Sequence, residues 1–124
     1  MSGKTILYVA DNELNRKIIR DLLKRTSYRL LEAPDGEAGV AMAIEHRPDL
    51  ILMDVQLPKV SGLEATRTLR ATAGFSETPI IAITSFALTG DDQKATEAGA
   101  TAYLAKPYSP FELLQMIRKL APEQ

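Results

Sequence analysis

Four polar residues stand where apolar runs of this chain stop. Asp11 follows Thr5-Ile6-Leu7-Tyr8-Val9-Ala10, Asp54 follows Leu50-Ile51-Leu52-Met53, Thr84 follows Ile80-Ile81-Ala82-Ile83, and Lys106 follows Ala102-Tyr103-Leu104-Ala105. Two carboxylates with an ammonium beside them form an oxygen-rich pocket for a hard divalent cation, and Mg2+ accepts one or two carboxylates while keeping several waters. A backbone carbonyl in the loop after Asp54, that of Gln56, can add another oxygen. Such a set suits phosphoryl transfer to a carboxylate. Both reactants are negative, so a metal ion, an ammonium and a hydroxyl must offset the charge as it builds. Asp54 is then the nucleophile and acceptor, Lys106 the cation facing the phosphoryl oxygens, and Thr84 a neutral hydroxyl donor. Each residue alone has an ordinary structural role, because a strand-end Asp or Thr forms turns and a Lys before Pro is a solvated loop residue. Chemistry requires a fold that brings the four ends together.

The segments between them predict that fold. Residues 14–25 place Ile18, Ile19, Leu22 and Leu23 on one face with charge between, an amphipathic helix. Residues 28–33 form a short second strand, broken by Pro34-Asp35-Gly36, and Asp35 can N-cap a helix over 36–46. Pro48 ends that helix and opens the central strand, 50–53, whose unbroken apolar run fits a strand covered on both faces. Further helices are expected over 63–72 and 91–98, the latter stopped by Gly99 as a left-handed cap. Strands are expected over 79–84 and 102–105. Ser109-Pro110 starts a last helix, with Pro at its permitted first position, that runs to about 120. Strand and helix alternate five times, with connections suited to parallel right-handed crossovers. The expected fold class is α/β, a doubly wound (βα)5, flavodoxin-like sheet of five parallel strands in the order 2-1-3-4-5. That order makes the first and third strands neighbours and puts Asp11, Asp54, Thr84 and Lys106 on one rim.

Composition narrows the function classes. A length of 124 residues suits one domain with a core that needs no staples. Fifteen basic and sixteen acidic residues give a net charge of -1 without a long block of either sign, which argues against nucleic-acid binding. The absence of Cys excludes disulfides, thiol chemistry and zinc-thiolate sites. No stretch has the length of a signal h-region or the roughly 20 apolar residues of a membrane span, so a cytoplasmic protein without a membrane partner is expected.

The motifs Val9-Ala10-Asp11-Asn12, Asp49-Leu50-Ile51-Leu52-Met53-Asp54, Leu57-Pro58 with Ser61-Gly62, Pro79-Ile80-Ile81-Ala82-Ile83-Thr84, and Ala98-Gly99-Ala100 leading to Tyr103-Leu104-Ala105-Lys106-Pro107 resemble those of the response-regulator receiver domains of the CheY-like superfamily. The resemblance runs from Lys4 to Leu120. Asp11-Asn12-Glu13-Leu14-Asn15 and Thr84-Ser85-Phe86-Ala87 make it most similar to DivK-type single-domain regulators and the receivers of hybrid sensor kinases. It implies a phosphoacceptor of a two-component or phosphorelay system rather than an enzyme in the usual sense. A histidine kinase or histidine phosphotransfer protein would donate to Asp54, with Mg2+ held by Asp11, Asp54 and the Gln56 carbonyl. Thr84 and Tyr103 would be the switch pair, and Gln56 and Phe86 would tune self-dephosphorylation. A downstream protein would read the face made by the fourth helix, fifth strand and fifth helix. The donor would dock beside Asp54, on the first helix near Asn15 and Ile18 and on the loop after Lys106, where the Lys106-Pro107 bond is cis in much of the family.

Two departures from the family pattern matter. Receivers usually carry two acidic residues after the first strand, and here the first is Ala10, which predicts weaker Mg2+ binding that Asn12 or Glu13 compensates in part. Thr101-Ala102 stands where receivers that dimerise through the output face carry an acidic pair, so a monomer or weak dimer is expected. The residues 1–124 read as one receiver without an output domain. The competing readings are a pseudo-receiver acting as a constitutive binding module and a haloacid-dehalogenase-type phosphohydrolase, whose second Asp is missing from Asp54-Val55-Gln56. A flavodoxin lacks support because no phosphate loop rich in Ser, Thr and Gly follows the first strand. Tyr8, Tyr28, Tyr108, Phe75 and Phe111 read as packing or surface aromatics, and His46 as a helix-end residue.

Overall fold

The computed structural model describes residues 3–57, 60–84, 91–106 and 108–122. Five strands alternate with five helices: β1 (Thr5–Val9), α1 (Glu13–Leu23), β2 (Arg29–Ala33), α2 (Gly36–His46), β3 (Leu50–Asp54), α3 (Gly62–Arg70), β4 (Ile80–Thr84), α4 (Asp91–Ala98), β5 (Ala102–Ala105) and α5 (Pro110–Leu120). All strand pairs are parallel and the order is β2-β1-β3-β4-β5, as the alternation predicts. The helix starts follow their caps. Asp35 accepts from Ala38 N at 2.8 Å, and Ser109 caps α5 with Pro110 just inside it. Asn12 caps α1 by accepting from Asn15 N at 3.1 Å, which makes that helix begin one residue earlier than its apolar face indicates. Gly99 ends α4 with φ +111°, the left-handed conformation expected of it.

Strand alternation divides the core into two layers. Ile6, Tyr8 and Ala10 with Leu50 and Leu52 pack under Ile19 and Leu23 of α1 and Leu113 and Ile117 of α5. Leu7, Val9, Ile51 and Met53 pack under Ala43 of α2 and Ala65 and Leu69 of α3. Every residue of β3 and β4 is buried, because both strands lie inside the sheet and both faces are covered. Tyr8 pairs with Leu52 and Asp54 with Ile83, and a one-residue slip would turn Asp54 to the opposite face. The two layers therefore hold the register that aims the site.

Arg70 ties the α3 end of the second layer to the β4 and β5 starts. Its guanidinium donates to the carbonyls of Gly99, Phe75 and Thr78 and to Thr101 Oγ1. Thr101 Oγ1 also accepts from Ile80 N at 3.1 Å, so Thr101 has a structural role here. His46 lies exposed in the last turn of α2, where a positive group suits the helix dipole. Phe75 and Tyr28 are core aromatics, whereas Phe111 is exposed.

At the rim, α3 approaches the end of β3 closely. A Cβ on Gly62 would lie 2.1 Å from the Asp54 carbonyl oxygen, and Gly62 N donates to Val55 O at 3.1 Å. Buried Thr66 donates to Gly62 O at 2.7 Å, a bond within the first turn of α3. Only a residue without Cβ fits, so Gly62→Ala is expected to push α3 off β3 and cost about 1–3 kcal/mol. Urea unfolding checks this, and an unchanged midpoint at equal slope would contradict it.

Candidate functional site

The strand ends do meet. Asp54, the last residue of β3, is 2% exposed. Lys106, just beyond β5, reaches across β4 so that its Nζ donates to Asp54 Oδ2 at 3.0 Å. The backbone N–H of Gln56 donates to Asp54 Oδ1 at 3.2 Å, a turn that the carboxylate itself closes. Lys106 is set by the sheet: its backbone N–H continues the ladder by donating to Thr84 O at 2.6 Å. One carboxylate is thus pinned at both oxygens.

Burial raises the Asp54 carboxyl above its usual range. The Lys106 hydrogen bond and charge and the Gln56 N–H pull it back in part, and Asp11 adds a smaller push upward. Asp11 itself is exposed, immediately past β1. Its backbone is held between two anchors, the Asn12 cap and Arg16, whose Nη1 donates to Ala10 O at 2.7 Å. Arg16 also pairs with Glu13 and Glu32, so Glu13 is engaged on the flank of α1 by Arg16 and Arg20. The sequence gives no pattern for the Arg16–Ala10 contact beyond the helical spacing of Glu13 and Arg16.

Thr84 is buried at the end of β4, and its Oγ1 accepts from Gln56 Nε2 at 2.8 Å. Gln56 therefore touches both Asp54, through its backbone, and Thr84, through its side chain. The sequence assigns Gln56 a carbonyl ligand and a part in tuning self-dephosphorylation, and its spacing does not reveal the amide link to Thr84. Tyr103, one strand over, is partly buried. Phe86, Pro58 and Pro107 lie outside the described residues, and with them the expected cis bond and the tuning role of Phe86.

The donor set fits a hard divalent cation in kind. Asp11 and Asp54 offer carboxylate oxygens and Gln56 a carbonyl, within the one or two carboxylates Mg2+ ordinarily takes. Among the described residues no group of three or more His, Cys, Asp or Glu side chains gathers anywhere. Beside Lys106, a cavity of about 290 Å3 opens between α1 and the start of α5, lined by Asn15, Ile18, Lys106, Tyr108 and Pro110. Leu14, Ile18 and Phe111 are exposed apolar residues of the same two helices.

Similarity to known proteins extends over nearly the whole chain. The response regulator receiver domain family matches residues 6–118. The chain is 43% identical over 115 residues to the polar-differentiation response regulator DivK of Brucella anthropi, covering 93% of this chain and 94% of that one. The DivK of Brucella ovis is 42% identical over the same length. Among solved structures, the receiver domain of a sensor histidine kinase from Pseudomonas aeruginosa superposes with a TM-score of 0.88 at 39% identity, over 96% of this chain and 98% of that one. That structure has a magnesium ion coordinated in its active-site cleft. The chemotaxis protein CheY4 of Vibrio cholerae gives a TM-score of 0.88 at 29% identity, over 94% of this chain and 98% of that one.

The buried carboxylate should cost stability. Its proton is held more tightly in the folded chain, so its favourable contribution is complete below the unfolded value of about 3.9 and is lost as pH rises through the folded value. Asp54→Asn removes the ionised group, and the amide carbonyl can still accept from Lys106. The variant is expected to be more stable than the wild type at pH 7, the gap closing as pH falls toward about 4. Thermal unfolding across that range checks the sign.

Proposed function

This chain belongs to the response regulator receiver domain family, as a DivK-like receiver of two-component signalling, and on that premise we propose that Asp54 is its phosphoacceptor. The observation that carries the reading is the Asp54 carboxylate, buried at the rim of the sheet with Lys106 on one oxygen at 3.0 Å and a backbone N–H on the other. A carboxylate oxygen attacks the phosphorus of a donor phosphohistidine. The P–O bond forms, the P–N bond breaks, and the electron pair returns to the donor imidazole. Lys106 is then within reach of the phosphoryl oxygens and offsets their charge. Asp11, Asp54 and the Gln56 carbonyl are the groups that would hold Mg2+, which supplies positive charge to those oxygens when bound.

The resting bond between Gln56 Nε2 and Thr84 Oγ1 gives the switch a defined starting state. For Thr84 to serve the phosphoryl group, its hydroxyl turns out of that bond, and Tyr103 is the residue positioned to move behind it. Such a local exchange of partners is how a charge event biases a two-state element. A histidine kinase or phosphotransfer protein is the donor, docking over α1 and the start of α5, where the cavity beside Lys106 and the exposed Leu14, Ile18 and Phe111 support contact with a helix. A downstream protein reads α4, β5 and α5. A groove of about 210 Å3, lined by Thr101, Ala102, Met116, Lys119 and Leu120, lies on that face.

Incubation with acetyl phosphate and Mg2+ followed by intact-mass measurement is expected to add one phosphoryl group to the wild type and none to Asp54→Asn. Failure of the wild type to label would favour the pseudo-receiver, and turnover of a phosphate ester would favour a hydrolase. Ala10 leaves the metal with fewer outer contacts, so Ala10→Asp is expected to tighten Mg2+ binding by roughly 10-fold. Titration of both proteins with the metal checks it, and equal affinities would remove Ala10 from the account.

A further inference from the structure

Tyr8 fits the role of a core aromatic except at its end. The residue is fully buried, yet among the described residues its hydroxyl completes no hydrogen bond. A phenylalanine would fill the same volume without a stranded polar atom, and buried hydroxyls ordinarily find partners. The surroundings show what the hydroxyl faces. Tyr8 sits in β1 opposite Leu52, two residues short of Asp54 on the neighbouring strand, and both side chains project to the layer under α1 and α5. Two residues of strand are about 6.6 Å, a span that a tyrosine ring pointing toward the rim can cross. Ala10, one residue past β1 and on the same face, is a single methyl and leaves that path open. Tyr108, packed against the same layer, brings its own hydroxyl near, while its ring lines the cavity beside Lys106.

We infer that Tyr8 is a positioning residue for the Asp54 site, acting through Tyr108: its buried hydroxyl couples the charge at Asp54 to the setting of Tyr108 in the wall of the cavity between α1 and α5. The inference rests on Asp54 being the phosphoacceptor. Burial first, then Tyr108 and Asp54, push the Tyr8 hydroxyl far upward, and burial and Asp54 push Tyr108 upward against a smaller lowering by the Tyr8 hydroxyl, so both remain neutral. Arg16, bonded to Ala10 O, acts on Tyr8 in the opposite sense. In the resting protein the two hydroxyls approach each other without full hydrogen-bond geometry. Phosphorylation adds negative charge above them. A neutral hydroxyl then turns its proton toward the rim, and Tyr108 loses the neighbour that oriented it. The surface beside Lys106 changes shape on the side where the donor sits, separately from the Thr84–Tyr103 movement on the other layer.

Tyrosine labelled with 13C at Cζ reports the hydroxyl environment directly, and the chain has four tyrosines, assignable by single Tyr→Phe variants. Beryllofluoride with Mg2+ serves as the phosphoryl mimic on Asp54, and 19F spectra report whether it binds. In the wild type, the Tyr8 and Tyr108 resonances are expected to shift together on binding. In Tyr8→Phe the Tyr108 shift is expected to be largely lost, with a melting temperature equal to or above that of the wild type. In Tyr108→Phe the Tyr8 shift should persist. An undiminished Tyr108 shift in Tyr8→Phe, with beryllofluoride bound, would overturn the inference and leave the function standing. A lowered melting temperature for Tyr8→Phe would also overturn it, because the hydroxyl would then be a structural bond. Absence of bound beryllofluoride on the wild type would overturn the phosphoacceptor reading, and this one with it.

Discussion

A carboxylate buried at the end of the central strand is the constraint around which this protein is arranged. An ionised group out of water needs a partner of opposite charge and satisfied lone pairs. Asp54 has one of each kind: Lys106 on Oδ2 and the Gln56 N–H on Oδ1. Neither partner can be supplied locally by a helix. Lys106 comes from the far side of β4, so the pair exists only if β3, β4 and β5 lie in register, and Lys106 N closing on Thr84 O extends that register to the rim. The carboxyl still titrates above its usual range, which means that burial outweighs both partners. The site is poised rather than relaxed.

The same rim links two layers that are otherwise separate. Asp54 and Lys106 project to the α1 and α5 side, as do Tyr8 and Ala10, whereas Gly62 closes on the end of β3 from the α3 side. Gln56 spans them, with its backbone on Asp54 and its side chain on Thr84. A change of charge at one atom can therefore be felt on both faces of the sheet: at the Thr84 hydroxyl on one, and at the Tyr8 and Tyr108 hydroxyls on the other. Packed interiors of this kind respond by exchanging discrete partners, because they deform little.

Ala10 shows how one small residue alters such a site in two ways. In the proposed site it leaves Asp11 and Asp54 as the two carboxylates that would face the metal, and its single methyl leaves room between Tyr8 and the rim. Arg16 meanwhile donates to the Ala10 carbonyl, so the backbone just before Asp11 is tied to α1.

Much of this was determined by the sequence alone. Apolar runs stopping at Asp11, Asp54, Thr84 and Lys106, with amphipathic segments and caps between them, specify five strands, five helices and their order, since period and turn chemistry are local properties. The Asp35 and Ser109 caps and the left-handed Gly99 were legible for that reason. Other features depend on residues far apart in the chain and belong to the tertiary structure. The Gln56 amide on Thr84, Arg16 on Ala10 O, Arg70 across three carbonyls and the missing Cβ of Gly62 against Asp54 O each require a distance that no spacing encodes. Tyr8 lies at the boundary. Its place in the core follows from strand alternation, but a hydroxyl left without a full hydrogen bond beneath Asp54 is decided only when β1, β3 and Tyr108 are packed together, because satisfaction of a polar atom depends on what surrounds it in three dimensions.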